Sequence, residues 1–267
     1  KFETVNTTGF NGLPTSQTIS LTAGTETQLR VVQQPTAIIA GAAFSPTVTV
    51  EILDAWKNRV LDAANTVLVK PTLVDAAVLG NEIDATKSAV ANSSGLVTFT
   101  GLTFTKAGTQ FVRFTSTNLT TATSSSFVIT NAEADHLTWV NSSATFSAKN
   151  DYAIKGSGDA NPELEVRDQY ENPVLTGNAT TVAVTESTSS ADVKAITGAS
   201  VSSNAYARIA FSNLVMRAKT GSYTLNFTAA NASLPIDGDV ETATVSISHG
   251  DPAALRLTRN AAGANVD

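Results

Sequence analysis

The chain has 267 residues, 42% hydrophobic and 15% charged, with a formal net charge of −6 and no Cys. That is apolar enough for a buried core, too uncharged for a disordered acidic chain, and too acidic for a nucleic-acid-binding stripe. Without Cys there is no disulfide, thiolate nucleophile or Cys-based zinc site, and no apolar run approaches the roughly 20 residues that span a membrane.

In chain order, residues 18–22 read as a closing strand that leads through a short linker to an opening strand at Leu29. Residues 47–52 alternate strictly: Val48, Val50 and Ile52 face one side, Thr47, Thr49 and Glu51 the other. Period two is the mark of a half-buried strand. Runs of the same kind follow at 96–100, 110–115, 125–130, 163–167, 180–185, 207–211, 222–228 and 242–248, separated by clusters of Gly, Asn, Pro, Asp and Ser. Many short strands at this spacing predict an all-β sandwich or barrel.

An internal repeat organises these runs. Residues 50–61 align with 164–175 in the pattern apolar-Glu-apolar-x-Asp-x-aromatic-x-Asn-x-Val-Leu. Downstream, Phe99-Thr100-Gly101-Leu102 matches Phe211-Ser212-Asn213-Leu214, and residues 108–114 match 221–227. A third pattern marks the seams: a closing strand, a linker, then an opening Leu at Leu29, Leu137 and Leu255. The expected organisation is the end of a preceding domain with its linker at 1–26, a β-sandwich with its linker at 27–134, a second sandwich at 135–250 and the start of a following domain at 251–267. The chain opens on Lys1 without a signal-peptide pattern, so a processed chain or a piece of a longer tandem array is expected.

Alternation predicts the cores. In the first sandwich Val48, Val50, Ile52, Val97, Phe99, Leu102, Val128 and either Phe111 or Phe114 point inward; a bulge would decide between the two Phe. In the second they are Leu164, Val166, Val182, Ile209, Phe211, Leu214, Leu225 and Phe227. Asp54 and Asp168 end their strands just before turns carrying Asn58 and Asn172. A carboxylate there accepts turn N–H groups, and Asn tolerates the left-handed conformation. The aromatic between them, Trp56 or Tyr170, can cover the end of a sandwich. A structural turn that fixes strand register explains the repetition better than a metal or ligand site does.

These turns, with the Phe99-Thr100-Gly101-Leu102 turn, Lys106-Ala107-Gly108-Thr109 before a closing strand, and Gln34-Pro35 followed by Ala40-Gly41-Ala42-Ala43-Phe44, resemble the bacterial Ig-like repeats of invasin/intimin-type surface adhesins. The second repeat departs by carrying Asn213 in place of Gly101 and by lacking a close match to residues 40–44. The resemblance implies seven-stranded sandwiches used as a stalk or adhesive module, with neighbouring Ig-like domains and a host or cell-surface ligand as partners. It implies an extracellular, cell-surface location and fixes no ligand.

Catalytic signals are sparse. His136 and His249, the two imidazoles, both fall at seams, and there is no Gly-x-Ser-x-Gly elbow, P-loop or His-Glu-x-x-His string. No catalytic or cofactor-binding residue is expected. Calcium is the one cofactor considered: Asp237, Asp239 and Glu241 are close in sequence and Asp251 follows at the seam, with Glu133 and Asp135 at the other; none fits an EF-hand loop. A solvated acidic loop is the plainer reading. Seven Asn-x-Ser/Thr sequons, at Asn6, Asn92, Asn118, Asn141, Asn178, Asn226 and Asn231, barely exceed what a Ser/Thr-rich chain produces by chance.

Three function classes remain. The favoured one is a non-catalytic structural or adhesive protein, the stalk of an adhesin or surface fibre; a surface-layer lattice subunit is close behind. The alternative is an accessory or carbohydrate-binding region of a secreted enzyme, although 6% aromatic residues leave little for a sugar platform beyond Trp56, Trp139 and Tyr170. Were the chain a whole mature subunit, its two ends could exchange strands between copies into a homo-oligomeric filament or lattice.

Overall fold

The structure is a computed structural model that describes residues 20–61, 68–73, 88–140, 144–175, 180–232 and 234–251. The first ten strands are β1 (Glu26–Gln33), β2 (Ile38–Ile39), β3 (Val48–Asp54), β4 (Leu68–Leu73), β5 (Ala89–Val90), β6 (Leu96–Phe99), β7 (Gly108–Gln110), β8 (Val112–Thr115), β9 (Ala122–Thr123) and β10 (Phe127–Thr130). The next ten are β11 (Ala134–Trp139), β12 (Thr145–Lys149), β13 (Glu163–Asp168), β14 (Thr181–Glu186), β15 (Val193–Thr197), β16 (Ser200–Ser202), β17 (Arg208–Ala210), β18 (Val215–Ala218), β19 (Gly221–Ala230) and β20 (Val240–Ser248).

Strand pairing yields two Ig-like β-sandwiches. In the first, β1-β3-β6 forms one sheet; the other runs β2-β10-β7 and, past Phe111, β5-β4-β8-β9. In the second, β11-β13-β17 faces β12-β20-β19-β14-β16, with β15 paired to β18 at the side. Each sandwich closes in the same way: the last strand pairs parallel to a short early strand, β10 with β2 and β20 with β12. An early strand that starts in one sheet and ends beside the last strand of the other ties the two layers together. Among the described residues no helix is long and apolar enough to cross a membrane.

Two hydrophobic clusters fill the sandwiches, one running from Leu29 to Ile129 and the other from Ala134 to Ile247. Alternation explains their membership. Every second-core residue named from the pattern is buried, as are Val48, Val50, Ile52, Val97, Phe99 and Leu102 in the first. Val128 is a correction: it is 47% exposed, and Phe127 and Ile129 fill the core instead. The strand runs one residue out of phase with the expected alternation, which moves every side chain to the opposite face. The choice between the two Phe is also decided. Phe111 is 41% exposed where the chain leaves β7 to enter β8, and the change of sheet brings Phe114 fully into the core against Phe99.

Most of the expected strands are present, with bounds shifted by a residue or two. The pattern missed several short ones, among them β2, β5, β9, β12, β15, β16 and β18. The remnants expected at the two ends fall largely on residues 1–19 and 252–267, outside the described residues, as do the sequons at Asn6, Asn141 and Asn178.

Candidate interdomain site

The repeated Asp turn has the same internal geometry in both sandwiches. Asp54 ends β3; its Oδ1 accepts the N–H groups of Trp56 (2.8 Å) and Asn58 (2.9 Å). Its Oδ2 accepts the Asn58 side-chain amide (3.0 Å) and the backbone N–H of Gly24 in the preceding linker (2.9 Å). Donation to the ionised form favours the carboxylate. The Asn58 amide, aided by the Gly24, Asn58 and Trp56 N–H groups, outweighs partial burial and lowers the pKa from 3.8 to about 2. Asp168 repeats this at the end of β13. Oδ1 accepts from Tyr170 N and Asn172 N (both 2.9 Å), and Oδ2 accepts from Asn172 Nδ2 (2.9 Å) and from Ala132 N in the linker (2.7 Å). Lys57 and Glu171 hold matching left-handed positions, φ 66° and 64°. Each turn therefore clamps the incoming linker as well as its own strand.

What the two turns touch differs. Asn172 is 1% exposed, and its amide bridges two sandwiches. Its Oδ1 accepts the backbone N–H of Ala107 (2.8 Å) and its Nδ2 donates to the carbonyl of Thr105 (2.7 Å), both just before β7 of the first sandwich. Lys106 Nζ adds a bond to the Glu171 carbonyl (3.3 Å). Tyr170 packs against the first core, its ring lying over Gly41. Gly41 adopts φ 81°, and a Cβ there would overlap the Tyr170 hydroxyl. Here the missing side chain has two causes, left-handed backbone and lack of space. The Tyr thus covers the end of the preceding sandwich. Trp56, its counterpart, is 85% exposed, and Asn58 is exposed beside it.

The seam also holds His136. Its Nδ1 lies 3.1 Å from Asp135 Oδ2 and its Nε2 lies 3.2 Å from Glu171 Oε1, so both ring nitrogens face carboxylates. A general base needs one nitrogen directed at a nucleophile. His249 is exposed just beyond β20.

The four acidic residues considered for calcium do not form one cluster. Asp237 Oδ1 accepts Asn231 N (2.8 Å), and Asp239 Oδ2 accepts Leu137 N (2.7 Å), tying that loop to β11. Glu241 lies near Asp239. Burial, then the Asp239 charge, raises its pKa, while the buried Trp139 indole N–H, which makes no hydrogen bond of regular geometry, opposes the rise. Asp251 instead takes the Tyr152 hydroxyl and lies 3.7 Å from Lys149 Nζ. Among the described residues no three His, Asp or Glu side chains are grouped to hold a metal ion.

Sequence reasoning found the Asp, aromatic and Asn positions and missed their socket: Gly41, the Thr105 carbonyl and the Ala107 N–H. Two of these are backbone groups, invisible to residue type. Gly41 did leave a signal, because the second repeat has no close sequence match to residues 40–44.

No family model and no curated protein matches the chain. Among solved structures it is similar to the Yersinia pseudotuberculosis adhesin InvE, at 22% identity over 82% of this chain and 58% of that one, with a TM-score of 0.30. It is similar to Yersinia pseudotuberculosis InvD at 14% identity over 89% and 65%, with a TM-score of 0.35. A third similarity is to protocadherin gamma B2 extracellular cadherin domains 1–5, at 11% identity over 88% and 42%, with a TM-score of 0.37. The chain spans less than two thirds of each of these structures. With TM-scores this low the fold rests on the strand pairing above: the described residues form two Ig-like β-sandwiches joined at a bonded seam.

Proposed function

We propose that the chain is a non-catalytic, extracellular structural or adhesive segment, a stalk in which Ig-like sandwiches are strung end to end on a bacterial adhesin or surface fibre. One observation carries this reading: the buried Asn172 side chain serves its own turn and the neighbouring sandwich at once. A linker alone connects domains; a seam in which a side-chain amide satisfies backbone groups on the next domain fixes their relative angle. Fixed angles between successive sandwiches turn a string of domains into a spacer with reach. The carboxylates on both nitrogens of His136 and the lack of cysteine support a mechanical role over a catalytic one.

The test is antibody labelling of intact cells of the source organism, followed by electron microscopy of the envelope. Labelling along fibres is expected. A regular two-dimensional lattice would replace the stalk with a surface-layer subunit, and labelling only after lysis would sink both readings.

A further inference from the structure

We infer that the turn at residues 54–58 is a second docking plug, built to enter the end of a preceding Ig-like sandwich that carries the same socket as the first sandwich here. The inference rests on the end-to-end reading of the chain and adds the identity of the mating surface.

The plug is complete. Asp54 holds Trp56 N, Asn58 N and Asn58 Nδ2 as Asp168 holds Tyr170 N, Asn172 N and Asn172 Nδ2. Gly24 N takes the place of Ala132 N. The Asn58 Nδ2 bond to Asp54 sets the amide in the orientation that Asn172 uses to reach Thr105 and Ala107. Trp56 projects at 85% exposure where Tyr170 is packed. Asn58, two residues on, borders an open groove that Ala23, Val60 and the exposed Leu61 also line. An exposed indole and an exposed Leu61 on the same turn as a prepared amide offer an apolar surface with a polar register.

The socket has a definable chemistry: a positive-φ Gly beneath the aromatic ring, and a carbonyl and N–H two residues apart for the Asn amide. The far end of the second sandwich does not offer it. The hydrogen bonds of Ala40, Gly41, Ala42 and Phe44 recur at Asn150, Asp151, Tyr152 and Ile154, which places Asp151 (φ 69°) where Gly41 stands. That Asp carries the Cβ that would strike the ring, and it is paired to Arg217. By the same register Lys219 matches Ala107, and its N–H already donates to the Asp192 carbonyl (3.1 Å). A second copy of this chain therefore cannot seat its Trp56 turn on this end in the pose used at the observed seam. The occupant is a sandwich of the first type, marked by Gly rather than Asp at this position and by an N–H left for the Asn amide at the position of Ala107.

A chain in which residues 20–131 are duplicated directly ahead of Gly24 supplies such a socket and keeps the linker register of the observed seam. The upstream copy carries Trp56→Phe, so that N-bromosuccinimide oxidation reports on the downstream Trp56, followed by peptide mass spectrometry. Docking should slow that oxidation by about tenfold or more relative to the unduplicated chain, since protection follows the closed-to-open ratio. Equal reactivity in the two chains overturns the proposal. Adding Gly41→Asp to the upstream copy should restore fast oxidation. The second sandwich carries Asp at this position with φ 69°, so the backbone accepts the residue, and the nearest atoms to a Cβ at Gly41 are those of the docked aromatic; protection that survives the substitution overturns the socket assignment. The readout does not depend on cellular location, so failure of the surface reading and failure of the plug are separate results.

Discussion

Individual carboxylates show how local bonding sets both structure and pH response. Asp54 has a folded-state pKa of about 2 against an ordinary 3.8, so it binds fewer protons folded than unfolded near pH 3. Its stabilising contribution is therefore present above the unfolded value and is lost as pH falls through the folded one. Asp54→Asn should melt below the parent at pH 7, and thermal melts should show the gap closing between about pH 4 and pH 2. Glu241 has the opposite sign. Burial and the Asp239 charge raise its pKa, so the folded state holds its proton more tightly and stability falls as pH rises past the ordinary Glu value of 4.5. Glu241→Gln should raise the melting temperature at pH 7 and leave it unchanged at a pH where the unfolded Glu is already protonated. These two residues differ through their neighbours: four donors surround Asp54, whereas Glu241 has a second carboxylate and one imperfectly placed indole.

At the level of elements, the Asp turn and the strands beside it account for the seam. Asn172→Ala removes an amide that satisfies Ala107 N and Thr105 O, leaving polar groups unpaired in a part-buried contact. The expected loss is about 1–3 kcal/mol of stability, measurable by urea titration. The equivalent change at exposed Asn58 removes only the bond to Asp54, so it should cost less than Asn172→Ala. Core elements respond by volume. Phe211, edge-to-face with Phe227 and fully buried, should lose about 3–5 kcal/mol on truncation to Ala, whereas Val128→Thr on the exposed side of β10 should be nearly neutral. The strands that sequence patterning recovered, such as β3, β13, β19 and β20, carry three or more inward side chains in period two. Those it missed are brief or poor in apolar residues. β2 and β9 have two residues each, and β12 offers only Phe146 and Ala148 to its core. Such segments become strands because a long neighbour provides a ladder, a cause that local sequence does not contain.

For the whole molecule, calcium is the remaining open expectation. Asp237 and Asp239 spend oxygens on backbone N–H groups, and Asp251 lies with Tyr152 and Lys149, so no described set of carboxylates converges. Chelator should leave the melting temperature unchanged. A rise on adding calcium would assign the ion to ligands that these contacts do not reveal.

The sequence by itself determined the all-β class, the central strand residues of each core and the Asp-aromatic-Asn turns. These follow from period-two alternation and from side chains that bond within a few residues of themselves, both local causes. Only the tertiary structure decided that Tyr170 and Asn172 serve the neighbouring sandwich while Trp56 and Asn58 stand open. The groups they dock on are a backbone carbonyl, a backbone N–H and the absence of a side chain at Gly41. Every residue but Pro has the first two and a pattern cannot see the third, so their meaning appears only once folding brings residues 41, 105 and 107 to the same end of the first sandwich.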